Sequence, residues 1–145
     1  MITAWCLLLV TAASTIFHPQ EEADSITGVW LNTQKDAKVE IFRRADGLYY
    51  GRIIWLKFPV EKDGSQKLDT RNPDESLRNT PLIGLVVLDG FRYEGGEWVG
   101  GVKYDPKSGR SFKCTIILEN GVLDIQGTSG WTHRHDRWTR LPAEQ

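Results

Sequence analysis

The chain has 145 residues, a formal net charge of −1 and six Trp. Its length predicts one domain, and the lack of a basic excess argues against a nucleic-acid-binding surface. Each Trp side chain can bury about 150–250 Å², so even a small domain of this composition can form a substantial core.

The first residues predict a signal peptide. The stretch Ala4–Phe17 is mostly small or apolar, and no Asp, Glu, Lys or Arg precedes Glu21. It is shorter than the roughly 20 residues that a membrane-spanning helix needs, and Ala12–Ser14 offers small residues for cleavage. We expect residues 1–20 to be removed, residues 21–145 to form the domain and the protein to be periplasmic or secreted. A retained anchor is the alternative, because the leader lacks Lys and Arg.

After residue 25 the sequence predicts strands. Runs rich in Val, Ile, Tyr, Trp and Thr alternate with Gly, Asp and Asn. Asp46-Gly47 and Asn120-Gly121 are strong hairpin signals. The predicted strands are Thr27–Thr33, Lys38–Arg43, Leu48–Leu56, Leu82–Leu88, Glu97–Tyr104, Arg110–Glu119, Val122–Thr128 and Asp136–Leu141.

Eight strands joined mainly by hairpins indicate an all-β fold, a small antiparallel up-and-down barrel that closes its own edges. An open sandwich is the alternative. Phe112, Cys114 and Ile116 share one face of their strand, so we interpret Cys114 as a buried apolar residue rather than a reactive thiol. A barrel of this size is either filled by side chains or holds one small ligand.

The connection Lys57–Pro81 is much longer than the usual 4–6 residues or so. Asn72 is a good N-cap, Pro73 suits the first helical position and Glu75 completes a capping box. We expect a short helical turn over Pro73–Arg78 with Leu77 facing the barrel. The loop is either a lid over the mouth of the barrel or a stabilising plug.

Two sets of residues resemble known families. Gly28-Val29-Trp30 on the first strand and Arg140 on the last resemble the lipocalin and calycin signature, in which Trp and Arg stack where the barrel closes. A second set resembles the bacterial exported family known as domain of unknown function 2147. That set comprises Asp69–Asp74, Leu77-Arg78, Pro81–Leu85, Tyr104–Pro106 and Gly109.

The second resemblance spans about Gly28 to Leu141 and implies a periplasmic, lipocalin-like barrel without an established activity. Two departures are mild: Phe112 stands where Tyr is more usual, and the leader lacks basic residues.

The sequence offers little catalytic chemistry. His133 and His135, with Asp136, are the one candidate for metal ligands, and closed zinc sites need four; we expect exposed turn histidines, no metal and no cofactor. There is no Gly-x-Ser-x-Gly elbow. Asp69 and Asp105 fit either acid/base work or, as we favour, capping of turns. We therefore expect no enzyme; a hydrolase using these two Asp residues is the least favoured hypothesis.

Several polar and aromatic residues are candidates for ligand contacts. Arg71 and Arg78 fit ion pairs that fix the long loop, or recognition of a carboxylate-bearing ligand. Aromatic residues would either line or fill the barrel. The candidate ligand-binding residues are Tyr50, Trp55, Asp69, Asn72, Arg78, Trp98, Tyr104, Asp105 and Trp131.

The first functional hypothesis is a carrier of a small, largely apolar or fatty-acid-like ligand, with Arg78 or Tyr104 orienting a polar end. The alternative is a module with a filled barrel that recognises an envelope protein or cell-wall partner through the long loop. Fold alone does not decide between them.

Overall fold

The computed structural model of the protein describes residues 19–129 and 132–143, in which eight antiparallel strands form a closed barrel. Helix α1 (Pro19–Ala23) and a 3₁₀ turn (Asp24–Ile26) precede the first strand. The strands are β1 (Gly28–Leu31), β2 (Ala37–Arg43), β3 (Tyr49–Leu56), β4 (Val86–Glu94), β5 (Glu97–Asp105), β6 (Arg110–Glu119), β7 (Val122–Ser129) and β8 (Thr132–Arg140). Among the described residues, no helix has the length and apolar character needed to cross a membrane.

The barrel closes where β1 pairs with β8. Each strand otherwise pairs with its neighbours in sequence, and at the seam Trp30 lies opposite Arg140. Gly28 has φ +123°, and a Cβ there would lie 3.0 Å from Nη1 of Arg140. A glycine is therefore needed where the guanidinium crosses the seam. The prediction of a closed barrel is confirmed, and the open sandwich is excluded.

Helix α1 and the 3₁₀ turn cover one end of the barrel. The indole N–H of Trp98 donates to the Ala23 carbonyl at 3.0 Å, and that of Trp30 donates to Ile26 at 2.8 Å. The Tyr49 hydroxyl donates to Asp24 at 2.6 Å. Burial and this hydrogen bond raise the pKa of Tyr49 to about 12, while the same bond lowers the pKa of Asp24. We call this end of the barrel the closed end.

The fourth strand lies further along the chain than predicted, and the eighth strand begins earlier than predicted. The predicted strand Leu82–Leu88 is observed as Val86–Glu94, because Leu82 N–H donates to Lys67 within the long loop instead of joining the sheet. Strand β8 begins at Thr132, so the histidines predicted in a turn lie in a strand. Strong turn residues define strand ends well, but apolar residues of a packed loop imitate a strand.

The predicted helical turn in the long loop is present as a single 3₁₀ turn, Glu75–Leu77. Its cap is Asp74, whose carboxylate accepts from Ser76 N–H at 3.0 Å, rather than Asn72. Leu77 is 47% exposed, so the prediction that it faces the barrel is wrong.

Candidate functional site

A cavity of about 750 Å³ lies at the end of the barrel opposite the closed end. In an up-and-down barrel the β1–β2, β3–β4 and β5–β6 connections meet at one end, and residues of all three line this cavity. Alternate residues of each strand face inwards, and most of those that line the inner wall are apolar. Its buried members are Val39, Ile53, Val87, Phe112, Cys114, Ile125 and Trp138.

An ion pair interrupts this apolar wall. Lys103 of β5 and Asp136 of β8 form a salt bridge inside the barrel, and each side chain is only 21% exposed. The Thr33 hydroxyl lies 2.5 Å from the other Asp136 oxygen. Burial alone would raise the pKa of Asp136, but the Lys103 ammonium and these hydrogen bonds outweigh it, so the pKa lies below its usual value. Asp136 is thus held as a carboxylate.

Trp138 lies beside this ion pair. Its ring centroid is 5.5 Å from the Lys103 ammonium. Its buried indole N–H makes no hydrogen bond within the described part of the chain, although it approaches the Asp136 carboxylate closely enough to help lower the pKa of that group. Lys103, Asp136 and Trp138 therefore form one polar patch on the wall.

Further cations surround the mouth of the cavity. The Arg134 guanidinium lies 5.0 Å from the ring centroid of Phe112. Lys107 pairs with Asp36 at 2.7 Å. Burial would raise the pKa of Asp36, but the hydrogen bonds from Lys107 and Asn32 lower it. The mouth is therefore charged, whereas most of the wall is apolar.

The long loop is tied to the β5–β6 hairpin beside the cavity. Asp69 is fully buried and accepts hydrogen bonds from the Tyr104 hydroxyl and the Asn72 amide, each at 2.7 Å. Burial and Asp69 raise the pKa of Tyr104. Gly109 has φ +70°, and a Cβ there would lie 2.0 Å from the Arg71 carbonyl oxygen. Only glycine allows the loop to pack this closely.

The polar residues singled out in the sequence are split between the cavity and the loop. Tyr104 and Asp105 line the cavity, and Asp105 caps its turn by accepting from Lys107 N–H at 3.0 Å and the Ser108 hydroxyl at 2.7 Å. Asp69 and Asn72 bind each other within the loop. Arg78 lies outside the cavity, where its guanidinium donates to the Asn72 carbonyl at 2.8 Å and pairs with Glu75.

Three of the aromatic candidates, Tyr50, Trp55 and Trp98, lie away from the cavity. Tyr50 is on the outer face, where its hydroxyl donates to Asp46 at 2.6 Å. Trp55 is 38% exposed beneath the Lys38 ammonium, 5.1 Å from the ring centroid. Trp98 fills the closed end, and Trp131 lies outside the described residues. The aromatic side chains that do line the cavity are Phe58, Tyr104, Phe112 and Trp138.

The candidate metal ligands are separated. His135 pairs with Asp124 at 3.2 Å. Within residues 19–129 and 132–143, no three His, Cys, Asp or Glu side chains come together to hold a metal ion. The described residues thus form a largely apolar cavity with a charged mouth.

Comparisons with known proteins agree with the barrel. A family model described as "Uncharacterized protein conserved in bacteria (DUF2147)" matches residues 28–140, which confirms the resemblance carried by the sequence motifs. Protein HP1028 from the human pathogen Helicobacter pylori, described as belonging to the lipocalin family, has a similar structure with a TM-score of 0.66. It is 23% identical, and the match covers 80% of this chain and 82% of that one. No curated protein sequence matches the chain.

Proposed function

Since the chain belongs to the bacterial DUF2147 family of uncharacterized proteins, which brings no established activity, we propose its function from its cavity. The protein binds one small, largely apolar molecule inside the lipocalin-like barrel and performs no chemistry on it. The observation that carries the proposal is the cavity of about 750 Å³, because ligand sites typically measure about 300–1,000 Å³.

The apolar wall supplies the affinity in this proposal. At about 25 cal/mol per Å², a ligand that buries about 200 Å² of apolar surface gains on the order of 5 kcal/mol before the cost of immobilising it. Helix α1 and the 3₁₀ turn block the closed end through Ala23 and Ile26. The ligand therefore enters and leaves beside the long loop.

Native mass spectrometry of gently purified protein, with displacement of a fluorescent lipid probe, tests the proposal. The cavity variant is Val87→Phe, which adds a ring to the inner wall. Its matched control is Val99→Phe, at an outer half-buried position on β5. We expect Val87→Phe to reduce probe affinity at least about ten-fold and Val99→Phe to leave it unchanged, with both variants folded by circular dichroism.

Loss of affinity in both variants, or no probe binding by the wild type and no co-purifying mass, would contradict the proposal. Equal binding by both variants and the wild type would place the probe outside the barrel and contradict it too.

We also propose that the protein acts outside the cytoplasm, in the periplasm or after secretion. The support is the apolar leader in residues 1–20. Cell fractionation with N-terminal sequencing tests this: we expect the mature chain in the periplasmic or extracellular fraction, with a new N-terminus near residue 20. A full-length cytoplasmic product would contradict it.

A second candidate function is recognition of an envelope protein through the long loop. Exposed apolar side chains cluster in the loop, where Phe58 is 64% exposed, and Val60 and Leu77 about half exposed, and such patches often mark interaction sites. In-cell crosslinking tests it. A crosslinked partner that is lost in Phe58→Ser and Val60→Ser but kept in Ile54→Ser, on the outer face of β3, would support this candidate. Identical patterns in all three variants would count against it.

A further inference from the structure

The cavity contains a cluster of charged side chains. A purely apolar ligand would form no hydrogen bonds or ion pairs with this cluster. Lys103, Arg134 and Asp136 all line the cavity. Strands β5 and β8 are not neighbours in the sheet, so Lys103 and Asp136 meet across the inside of the barrel, and Arg134 lies nearer the mouth. Phe112 links them, because it lies opposite Lys103 in the β5–β6 register and its ring contacts Arg134. We call these three charged residues the wall cluster.

The wall cluster has an unbalanced positive charge. It contains two cations and one carboxylate, and the Asp136 carboxylate already binds Lys103 and Thr33. Arg134 forms no salt bridge with any residue that the structure describes. The Lys103 ammonium has three N–H donors, of which Asp136 takes one. The cluster therefore offers donors and net positive charge to whatever occupies the cavity.

The chemistry of the wall cluster discriminates between ligands. A hydrocarbon laid against it would remove water from the Lys103–Asp136 pair without replacing the lost hydrogen bonds, which is costly. A cationic group would meet like charge. A carboxylate would accept charge-assisted hydrogen bonds from the ammonium and guanidinium.

We propose that the wall cluster binds the carboxylate of an amphipathic carboxylic acid whose apolar chain packs against the inner wall. This inference rests on the proposed function and specifies its ligand class. Lys103 and Arg134 take the anchoring role, since the Tyr104 hydroxyl is bonded to Asp69 and Arg78 lies outside the cavity. Asp136 positions the Lys103 ammonium and excludes a dianionic group by repulsion.

Isothermal titration calorimetry with dodecanoic acid and methyl dodecanoate, at neutral pH and low salt, tests the inference. The two probes share a chain and differ in charge. We expect the acid to bind at least about ten-fold more tightly than the ester, equivalent to 1.4 kcal/mol. Arg134→Met should reduce this preference several-fold while leaving the ester's Kd unchanged. The control is Arg137→Met, an exposed position on the same strand.

Lys103→Met alone would leave Asp136 without its cation, so the double variant Lys103→Met/Asp136→Leu tests the same point in a neutral wall. It should bind the ester at least as tightly as the wild type does and lose the preference for the acid. Equal affinity of the wild type for acid and ester would overturn the inference and leave the proposed function standing. A preference that survives in both wall-cluster variants would do the same. Binding of neither probe, with no displacement of the fluorescent lipid, would overturn both.

Discussion

Trp30 and Arg140 stack across the seam of the barrel, with the guanidinium carbon 4.2 Å from the centroid of the indole ring. The same guanidinium donates to the carbonyl of Thr27 at 2.8 Å and to that of Ser25. Burial lowers the pKa of Arg140, because it disfavours the charged form. One side chain thus joins the last strand, the first strand and the turn that covers the closed end.

The seam should be sensitive to loss of this guanidinium. Arg140→Met removes the stacking and two hydrogen bonds, and we expect it to lower the free energy of unfolding by about 2–4 kcal/mol. Arg137→Met, on the same strand but exposed, should change it by less than about 0.5 kcal/mol. Urea unfolding followed by Trp fluorescence measures both. Equal effects of the two variants would show that the seam contact is not what stabilises closure.

The closed end should weaken at high pH. Because the pKa of Tyr49 is raised from 10.0 to about 12 in the fold, its contribution to stability is complete below pH 10 and is lost as the pH rises towards 12. A rise of the pKa from 10.0 to about 12 corresponds to about 3 kcal/mol. Tyr49→Phe should be less stable near pH 8 and lose less stability between pH 10 and 12 than the wild type. Parallel stability curves for the two proteins would refute this role for Tyr49.

The ion pair in the cavity should govern part of the acid response. The pKa of Asp136 is lowered, so its contribution is present above the usual value of 3.8 and disappears as the pH falls below it. Asp136→Asn should therefore flatten the loss of stability below about pH 4. The control is Asp89→Asn, at an exposed position on β4, which should lose stability at acid pH as steeply as the wild type does. Thermal melts of the three proteins from pH 2 to 7 measure the difference.

Cys114 should report on access to the cavity. Burial raises the pKa of its thiol, so we expect slow labelling by a small thiol reagent near neutral pH, and slower still with a ligand bound. In a Cys6→Ser background, Cys114→Ser/Thr115→Cys moves the thiol by one residue to the outer face. That variant should react faster and show no protection by ligand. Protection at both positions would indicate a general change in stability instead.

The attachment of the long loop should depend on Tyr104. Tyr104→Phe leaves one oxygen of buried Asp69 without its donor, and we expect a loss of about 1–3 kcal/mol with faster hydrogen exchange at Asp69–Asn72. Tyr93→Phe, near the opposite end of the barrel, is the comparison. If exchange rises equally throughout the barrel, the hydrogen bond does not fix the loop locally.

The fold was largely predictable because its turns are strongly marked. Asp46-Gly47 and Asn120-Gly121 fix two hairpins, and alternation places Phe112, Cys114 and Ile116 inside as predicted. The shift of β4 shows the limit. Leu82 lines the cavity and Leu85 packs against the core, although both precede the strand. The local pattern of apolar residues does not separate these roles from a place in a strand.

The cavity lining was harder to predict than the fold. A Lys in a strand is usually expected on the outer face, so the sequence did not indicate that Lys103 faces the inside of the barrel. Arg134, Asp136 and Trp138 alternate along one face of β8, a pattern that becomes visible only once the strand is known to begin at Thr132. Trp55 follows an irregularity in the β2–β3 register, and such a bulge changes which face a residue occupies.

The seam also sets an order in time. Seven of the strand pairings join sequence neighbours, so each hairpin can form soon after its second strand is synthesised. The remaining pairing joins β1 to β8, and its Arg140–Thr27 hydrogen bond spans 113 residues. The outer edge of β1 therefore remains unpaired until nearly the whole chain has been synthesised. Until then β1 has an exposed edge that strands of other chains can also pair with. The risk of aggregation is therefore greatest in this interval, when many incomplete chains are close together.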